Sequence, residues 1–314
     1  MTTFACNQDL ILEKMSKVKT NLDLIQWLGY DMSIKVFSYL DNPGDLVRAS
    51  AVSSSWNDFV IENGLCKQLC LKMIPEISAV VRSIEVDNMI ESDGDKLGYY
   101  YTTKQERLNR NHRVYALLAF GLIPIDDSCI SQAICASSTN DHIRESLTNT
   151  LDPRDSTEHG PSYWSSIGQR DPSVTETLLY RLFSKICLVT EINVQPFQDY
   201  INDGFPIYSA KAIRFRLGRE RDPMEIDSKF VVLHDEMTFS RHMIWTYTSP
   251  VFSMSQENKL QHFKLPEPVL CSGGFLLVEL LGSVQKNEDV NLFYICISHV
   301  KVGGRILFPE FVTR

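Results

Sequence analysis

Residues 34–60 read IKVFSYLDNPGDLVRASAVSSSWNDFV. Apolar residues recur at helical spacing, but the run is cut twice, by DNPGD and by SSS. Each cut has the chemistry of a helix boundary. Asn42 is a favourable N-cap. Pro43 suits the first helical position because its missing N–H would be unpaired there, and Asp45 favours the positive end of the helix that follows. Ser53 to Ser55 offer a second cap before Trp56, Phe59 and Val60, which fall at i, i+3 and i+4. Ahead of the first cut, Ile34 and Phe37 lie on one stripe, and Met32, Val36, Tyr39 and Leu40 on an adjoining one. That helix is apolar round much of its circumference. Leu46, Val47 and Ala51 give the second helix its apolar face, and LCKQLCLK (65–72) predicts a fourth. A module of this size buries too little surface to be comfortable alone. It holds more apolar positions than one small core uses, which predicts a face turned to a partner or to the following domain.

Outward from this module, LILEKM and LDLIQWL within residues 10–28 predict a helical lead-in. TTKQERLNRNHRVYALLA (102–119) predicts a helix with Val114, Leu117 and Leu118 on one stripe, and ESDGDKLG (91–98) a loop. CISQAICASS is expected to be a short helix or turn, and LTNTLDPRDSTEHGP a turn-rich loop. From Glu176 onward the period becomes two. In KICLVTEINVQPF, Val189, Glu191, Asn193 and Gln195 alternate with Leu188, Thr190, Ile192 and Val194, and in KAIRFRLG, Ile213, Phe215 and Leu217 alternate with Arg214 and Arg216. FVVLH (230–234), MIWTYT (243–248), LQHFKL (260–265), FLLVELLG (275–282) and LFYICISHVKV (292–302) predict further strands, with RERDPME, SGG, QKNED and VGG as turns. Many short strands without βαβ alternation predict an antiparallel sandwich.

The chain has 314 residues, enough for about two domains. A net charge of −8 and a pI of about 5.4 argue against nucleic acid as the main partner, since phosphate binding needs a cationic surface. No stretch holds the ~18 apolar residues of a membrane helix. The N-terminus lacks the basic and then apolar runs of a secretory signal. Cytoplasm or nucleus is the expected compartment. The eight cysteines form no C-x-x-C pair, and Cys66 and Cys70 are expected to be buried free thiols rather than zinc ligands. No metal site and no cofactor is expected.

The order Ile34-Lys35-Val36-Phe37-Ser38-Tyr39-Leu40-Asp41, then Pro43, Asp45-Leu46, Val47-Arg48-Ala49, Val52-Ser53 and Trp56, resembles an F-box over residues 26–72. Two positions depart from the family's pattern: Leu28-Gly29-Tyr30-Asp31 stands where a Leu-Pro opening is usual, and Leu65-Cys66 where a Leu-Trp pair is often found. The resemblance implies a module that binds a Skp-type adaptor and so joins a cullin–RING ubiquitin ligase. The residues it implies are Met32, Ile34, Val36, Phe37, Leu40, Pro43, Leu46, Val47, Val52 and Trp56. Trp56 fits two roles, an interface anchor or a pin for the module's own core.

A second resemblance covers about 130–308. Cys135-Ala136-Ser137-Ser138, Asn149-Thr150-Leu151 and Tyr163-Trp164-Ser165-Ser166-Ile167-Gly168, with the ending LFYICISHVKVGGRIL, resemble a galactose-binding-like (discoidin-like) sandwich. The whole resembles a plant-type F-box protein with such a domain. The implied fold is α+β and multidomain: a lead-in (1–25), F-box helices (26–72), a mostly helical linker (73–129) and an antiparallel β-sandwich (130–314) of galactose-binding-like or jelly-roll type. These sandwiches bind sugars, lipids, peptides or proteins through loops at one end. Tyr163 and Trp164 are candidates to stack on a sugar, with Trp164 as a core plug the competing reading, and Arg214 and Arg216 are candidate ligand contacts on an outward face. Some such sandwiches hold calcium near an early acidic loop. Asp152, Asp155 and Glu158 lie in one, although three scattered carboxylates fall short of the six to eight oxygens calcium prefers.

Motifs of catalysis are missing: no G-x-S-x-G, no GxxxxGK[ST], no H-E-x-x-H and no G-x-G-x-x-G. His234-Asp235-Glu236 sits beside a strand, where neighbours point to opposite faces. The expected role is a non-catalytic substrate receptor of a ubiquitin ligase, binding a target protein or a glycan. The alternative is a carbohydrate-binding or carbohydrate-processing sandwich with a structural helical cap.

Overall fold

A computed structural model describes residues 23–85, 104–154, 156–157, 160–202, 204–221 and 242–308. FVVLH, His234–Glu236, the 91–98 loop, Cys6, Asp155 and Glu158 lie outside the described residues. The chain divides into two compact units, Met1–Lys72 with Gly98–Ala116, and Met73–Leu97 with Leu117–Arg314. No helix among the described residues is long and apolar enough to cross a membrane.

The first unit is helical. Its elements are α1 (Leu24–Leu28), α2 (Tyr30–Phe37), α3 (Pro43–Ser50), α4 (Ser54–Glu62) and α5 (Leu65–Met73). The two interruptions are the caps that the sequence predicts. Asn42 Oδ1 accepts from the Gly44 amide at 2.8 Å, with Pro43 opening α3. Ser53 Oγ accepts from the Trp56 amide at 3.3 Å and opens α4. Each such cap is worth about 1 kcal/mol. Phe37, Leu46, Val60, Ile61, Leu65 and Leu69 are buried. Phe37 is the hub of an aromatic cluster, edge-on to Trp56 (5.3 Å between centroids) and tilted against Phe59 (5.5 Å).

Beyond α5, a 3-10 turn (Pro75–Val80) leads into α6 (Val81–Ile84). Helix α7 (Lys104–Gly121) matches the predicted 102–119 from Lys104 onward and runs two residues further.

The second unit holds two packed antiparallel sheets. Leaving aside two ladders of two-residue strands, its strands are β1 (Leu122–Pro124), β2 (Ile130–Ala136), β3 (Trp164–Ser165), β4 (Thr175–Leu182), β5 (Ile186–Gln198) and β6 (Ile207–Tyr208). Then follow β7 (Ala210–Glu220), β8 (Met243–Thr248), β9 (Phe252–Ser253), β10 (Gln261–Ser272), β11 (Phe275–Ser283) and β12 (Cys296–Leu307). One sheet runs β1-β12-β5-β10, with β3 on β12 and β6 on β5. The other runs β8-β7-β11-β4-β2, with β9 on β7. Between them lies one apolar core, including Trp164, Leu178, Tyr180, Phe215, Leu276, Val278, Ile297 and Val300. Two polar pairs are buried with it: Thr150 Oγ1 meets the Tyr180 hydroxyl at 2.9 Å, and His299 Nδ1 donates to the Thr150 carbonyl at 2.9 Å.

Two sequence expectations are corrected here. CISQAICASS forms β2, not a helix or turn: its register against β4 slips between Ile130 and Gln132 and between Ala133 and Cys135. Those bulges erase the alternation that marks a strand. VGG is not a turn either, because Gly303 and Gly304 lie inside β12. Cys66 and Cys70 are buried free thiols, and burial pushes the Cys66 thiol up to about 12.

Candidate functional site

The first unit's apolar surface is organised round a groove of about 350 Å³. Leu24, Ile25 and Leu28 of α1, Val36 and Phe37 of α2, and Ala49 of α3 line it, together with Leu40, Val52 and Trp56. At its edge, Arg48 pairs with Asp45 at 2.6 Å, one turn apart on α3.

Asp23 locks the α1 wall of this groove onto α4. As N-cap of α1 it accepts from the Ile25 amide at 3.1 Å. The same carboxylate accepts from the Trp56 indole N–H at 2.9 Å and from the Ser55 hydroxyl. The Ser55 hydroxyl first, with the Trp56 and Ile25 donors, holds the Asp23 carboxyl below its ordinary value. A carboxyl depressed in the folded state contributes fully above its unfolded value of about 4, and the contribution is lost as pH falls through the folded value. Asp23→Ala removes the cap and both cross-helix bonds. It is expected to accelerate hydrogen exchange at the α1 amides while leaving exchange in the sandwich unchanged. Unchanged α1 exchange would mean that Asp23 does not hold the wall.

The ten residues implied for the adaptor face separate into three sets by burial. Phe37, Pro43 and Leu46 are buried within the module, and Ile34, Leu40 and Trp56 are half-buried. Trp56 therefore serves the module's core through Phe37 and Asp23 while also lining the groove. Met32, Val36, Val47 and Val52 are exposed. Sequence reasoning missed Leu24, Trp27 and Tyr30, which are also exposed, Trp27 to 69%. For Leu24 and Trp27 the signal was present in LDLIQWL, which reads as a lead-in because only its cap and the fold make α1 a wall of the groove. Gly29, in place of the usual Pro, has φ +74° and joins α1 to α2. A glycine accepts that left-handed turn without strain.

The four sandwich candidates come to different places. Trp164 is 0% exposed, and its indole N–H donates to the Ser138 carbonyl and Thr139 hydroxyl, each at 3.2 Å. It is the core plug, and stacking on a sugar is corrected because both ring faces are enclosed. Tyr163 stacks on Phe197 (3.9 Å, 12°), and its hydroxyl donates to Glu145 Oε1 at 2.9 Å. Arg214 and Arg216 converge on Glu279 of the neighbouring strand, at 2.5 and 3.1 Å. Arg214 stands directly opposite Glu279 in the register. These guanidiniums tie β7 to β11. Asp152 is held by Arg154, whose side chain and amide keep the carboxyl down at about 2. No group of three or more potential metal-ligating side chains occurs among the described residues.

The family profile described as F-box-like matches residues 30–72, the span from α2 to α5. An F-box protein of Arabidopsis thaliana is 46% identical over 295 residues, covering 92% of this chain and 78% of that protein. Among solved structures, a family 32 carbohydrate-binding module of a Clostridium perfringens glycoside hydrolase is similar to part of the chain. It has a TM-score of 0.37 and 14% identity, covering 58% of this chain and 94% of that one. A fucolectin from striped bass (Morone saxatilis) gives 0.36 and 15%, covering 57% and 50%. Capped helices round an apolar groove, a profile match over those same helices and an extended relative lead to one conclusion: this chain belongs to the F-box protein family.

Proposed function

We propose that this chain is the substrate-recognition subunit of a Skp–cullin–F-box ubiquitin ligase in the cytoplasm or nucleus. Its helices dock on a Skp-type adaptor, and its sandwich holds the protein to be ubiquitinated. Ubiquitin transfer belongs to the partner subunits, and this chain contributes proximity, which lowers a bimolecular barrier by fixing the reactants together. The observation that carries the reading is the exposed rim of the groove. Leu24, Val36 and Val52 leave large apolar surface in water beside a ready concavity. Such a patch marks an interaction site, and covering it with an apolar helix face returns about 25 cal/mol for each Å² buried.

The test is a pull-down with purified Skp-type adaptor, using Val36→Asp and Val52→Asp. Both positions are exposed, so the charge costs the free fold little. Opposite an apolar partner each leaves a carboxylate unpaired and is expected to weaken binding by about tenfold or more, with unchanged melting temperature. Wild-type chain that fails to bind, or variants that bind as well as wild type, would sink the reading. The buried pair Phe37 and Leu46 makes a poorer test, because charge there unfolds the module itself.

A further inference from the structure

The strand register places several loops at one end of the sandwich. Strand β5 ends at Gln198 and β12 begins at Cys296, with Ile297 opposite Pro196. Strand β11 ends at Ser283, opposite Ala210 at the start of β7. Loops 199–206 and 284–295 therefore emerge together. The Tyr163–Glu145 hydrogen bond and the Tyr163–Phe197 stack bring loop 141–146 to the same end.

These loops expose large apolar side chains. Ile143 is 91% and Ile201 83% exposed, and Tyr200, Phe205 and Val290 are each more than half exposed. They are not loose. Asp199 accepts from the Ile201 amide at 2.8 Å and from the Asn202 side chain at 2.5 Å. Asn258 donates to the Tyr200 hydroxyl at 2.8 Å and accepts from Gln195 at 3.0 Å. Phe205 is held at φ +48°, a strained conformation for an aromatic residue, with its ring 6.3 Å from that of Tyr200. With the Tyr200 ring tethered at its hydroxyl and the Ile201 backbone capped, these side chains are presented in advance, as an interface anchor needs, and less entropy remains to be lost on binding. The same three loops carry Asp141, Glu145, Asp199, Glu288 and Asp289 against Arg144 and Lys286 among the described residues. The field over this apolar patch is therefore negative.

We propose that this end of the sandwich docks a cationic, apolar segment of the target protein: one or two large apolar side chains against Tyr200, Ile201 and Phe205, flanked by Lys or Arg facing the loop carboxylates. The inference rests on the substrate-receptor reading and adds to it the surface and the chemistry of the partner. Charge complementarity selects this partner, because an acidic or uncharged segment would leave the carboxylates unanswered.

The full chain is panned against random peptides displayed on phage, and the affinity of the most enriched synthetic peptide is measured by fluorescence polarisation. Enriched sequences are expected to place Lys or Arg beside aromatic or branched residues. Binding is expected to weaken as salt passes about 0.15 M, where charges are screened within ~8 Å. Tyr200→Ser and Ile201→Ser are each expected to cost about tenfold or more. Phe205→Asn is expected to cost affinity while keeping the melting temperature, since Asn tolerates the left-handed backbone. The proposal is overturned if nothing is enriched, if enriched peptides lack basic residues, or if the loop variants bind as wild type does. It is also overturned if a glycan array finds a ligand lost in Ile201→Ser, which would make the end a sugar site. Adaptor binding by the same preparation separates the two levels. A chain that does not bind adaptor sinks the ligase reading, whereas an adaptor-competent chain without loop-dependent peptide binding sinks only the docking surface.

Discussion

Trp164→Ala is expected to destabilise the sandwich by about 3–5 kcal/mol, the usual cost of truncating a buried Trp. For a unit of this size that lowers the sandwich's melting temperature by roughly 6–20 °C. The reason is position: the side chain is 0% exposed, in the core between the sheets. Its removal leaves a cavity and also strips a donor from the Ser138 carbonyl and Thr139 hydroxyl. Trp164→Phe keeps much of the volume and is expected to cost far less, about the 1 kcal/mol of a hydrogen bond plus a smaller void. Differential scanning calorimetry on both variants decides between core plug and sugar platform. A stacking platform would lose ligand binding with its melting temperature intact, and that outcome would refute the core assignment.

How much of this was written in the sequence depends on the residue. The helix boundaries at Asn42-Pro43 and Ser53 were legible because capping is local chemistry, complete within four residues. Which apolar side chains face inward was not. In α2 the apolar residues circle the helix, so spacing alone gave Phe37 and Val36 equal standing, yet one is buried and the other exposed. Only the packing of α4 behind Phe37 makes the difference. The long strands β5 and β7 were legible from their period of two. Strand β10 was legible only to Leu265, because Pro266 and Pro268 end the pattern. It continues to Ser272 across a register shift between Lys264 and Val269, the kind of irregularity where proline is tolerated. The aromatic patch at Tyr200, Ile201 and Phe205 carries no periodic signal, since it lies in a loop and its meaning comes from exposure.

The same contrast between local and tertiary meaning sets the second large effect, at Gly304. The sequence reads VGG as a turn, which would need glycine only for its backbone freedom. In the structure Gly304 lies within β12, where the register against β5 slips: Gly303 faces Glu191 and Gly304 faces Val189. A β-carbon at Gly304 would lie 2.1 Å from the Leu188 carbonyl oxygen and 3.1 Å from Val189 Cα. These are backbone atoms of a central strand, so no side-chain rotation relieves the clash, and β12 must move off β5. Gly304→Ala is therefore expected to cost about 3 kcal/mol or more, at or beyond the top of the usual range for overpacking. Gly204 supplies the control. It too has positive φ, +83°, but a β-carbon there meets nothing within 4 Å. Gly204→Ala should cost only the conformational strain, about 1–2 kcal/mol. Urea titrations of the two variants separate the cases: Gly304→Ala is expected to shift the midpoint well beyond Gly204→Ala. Equal shifts would mean that Gly304 serves the backbone alone and that the close approach of β12 to β5 contributes nothing of its own.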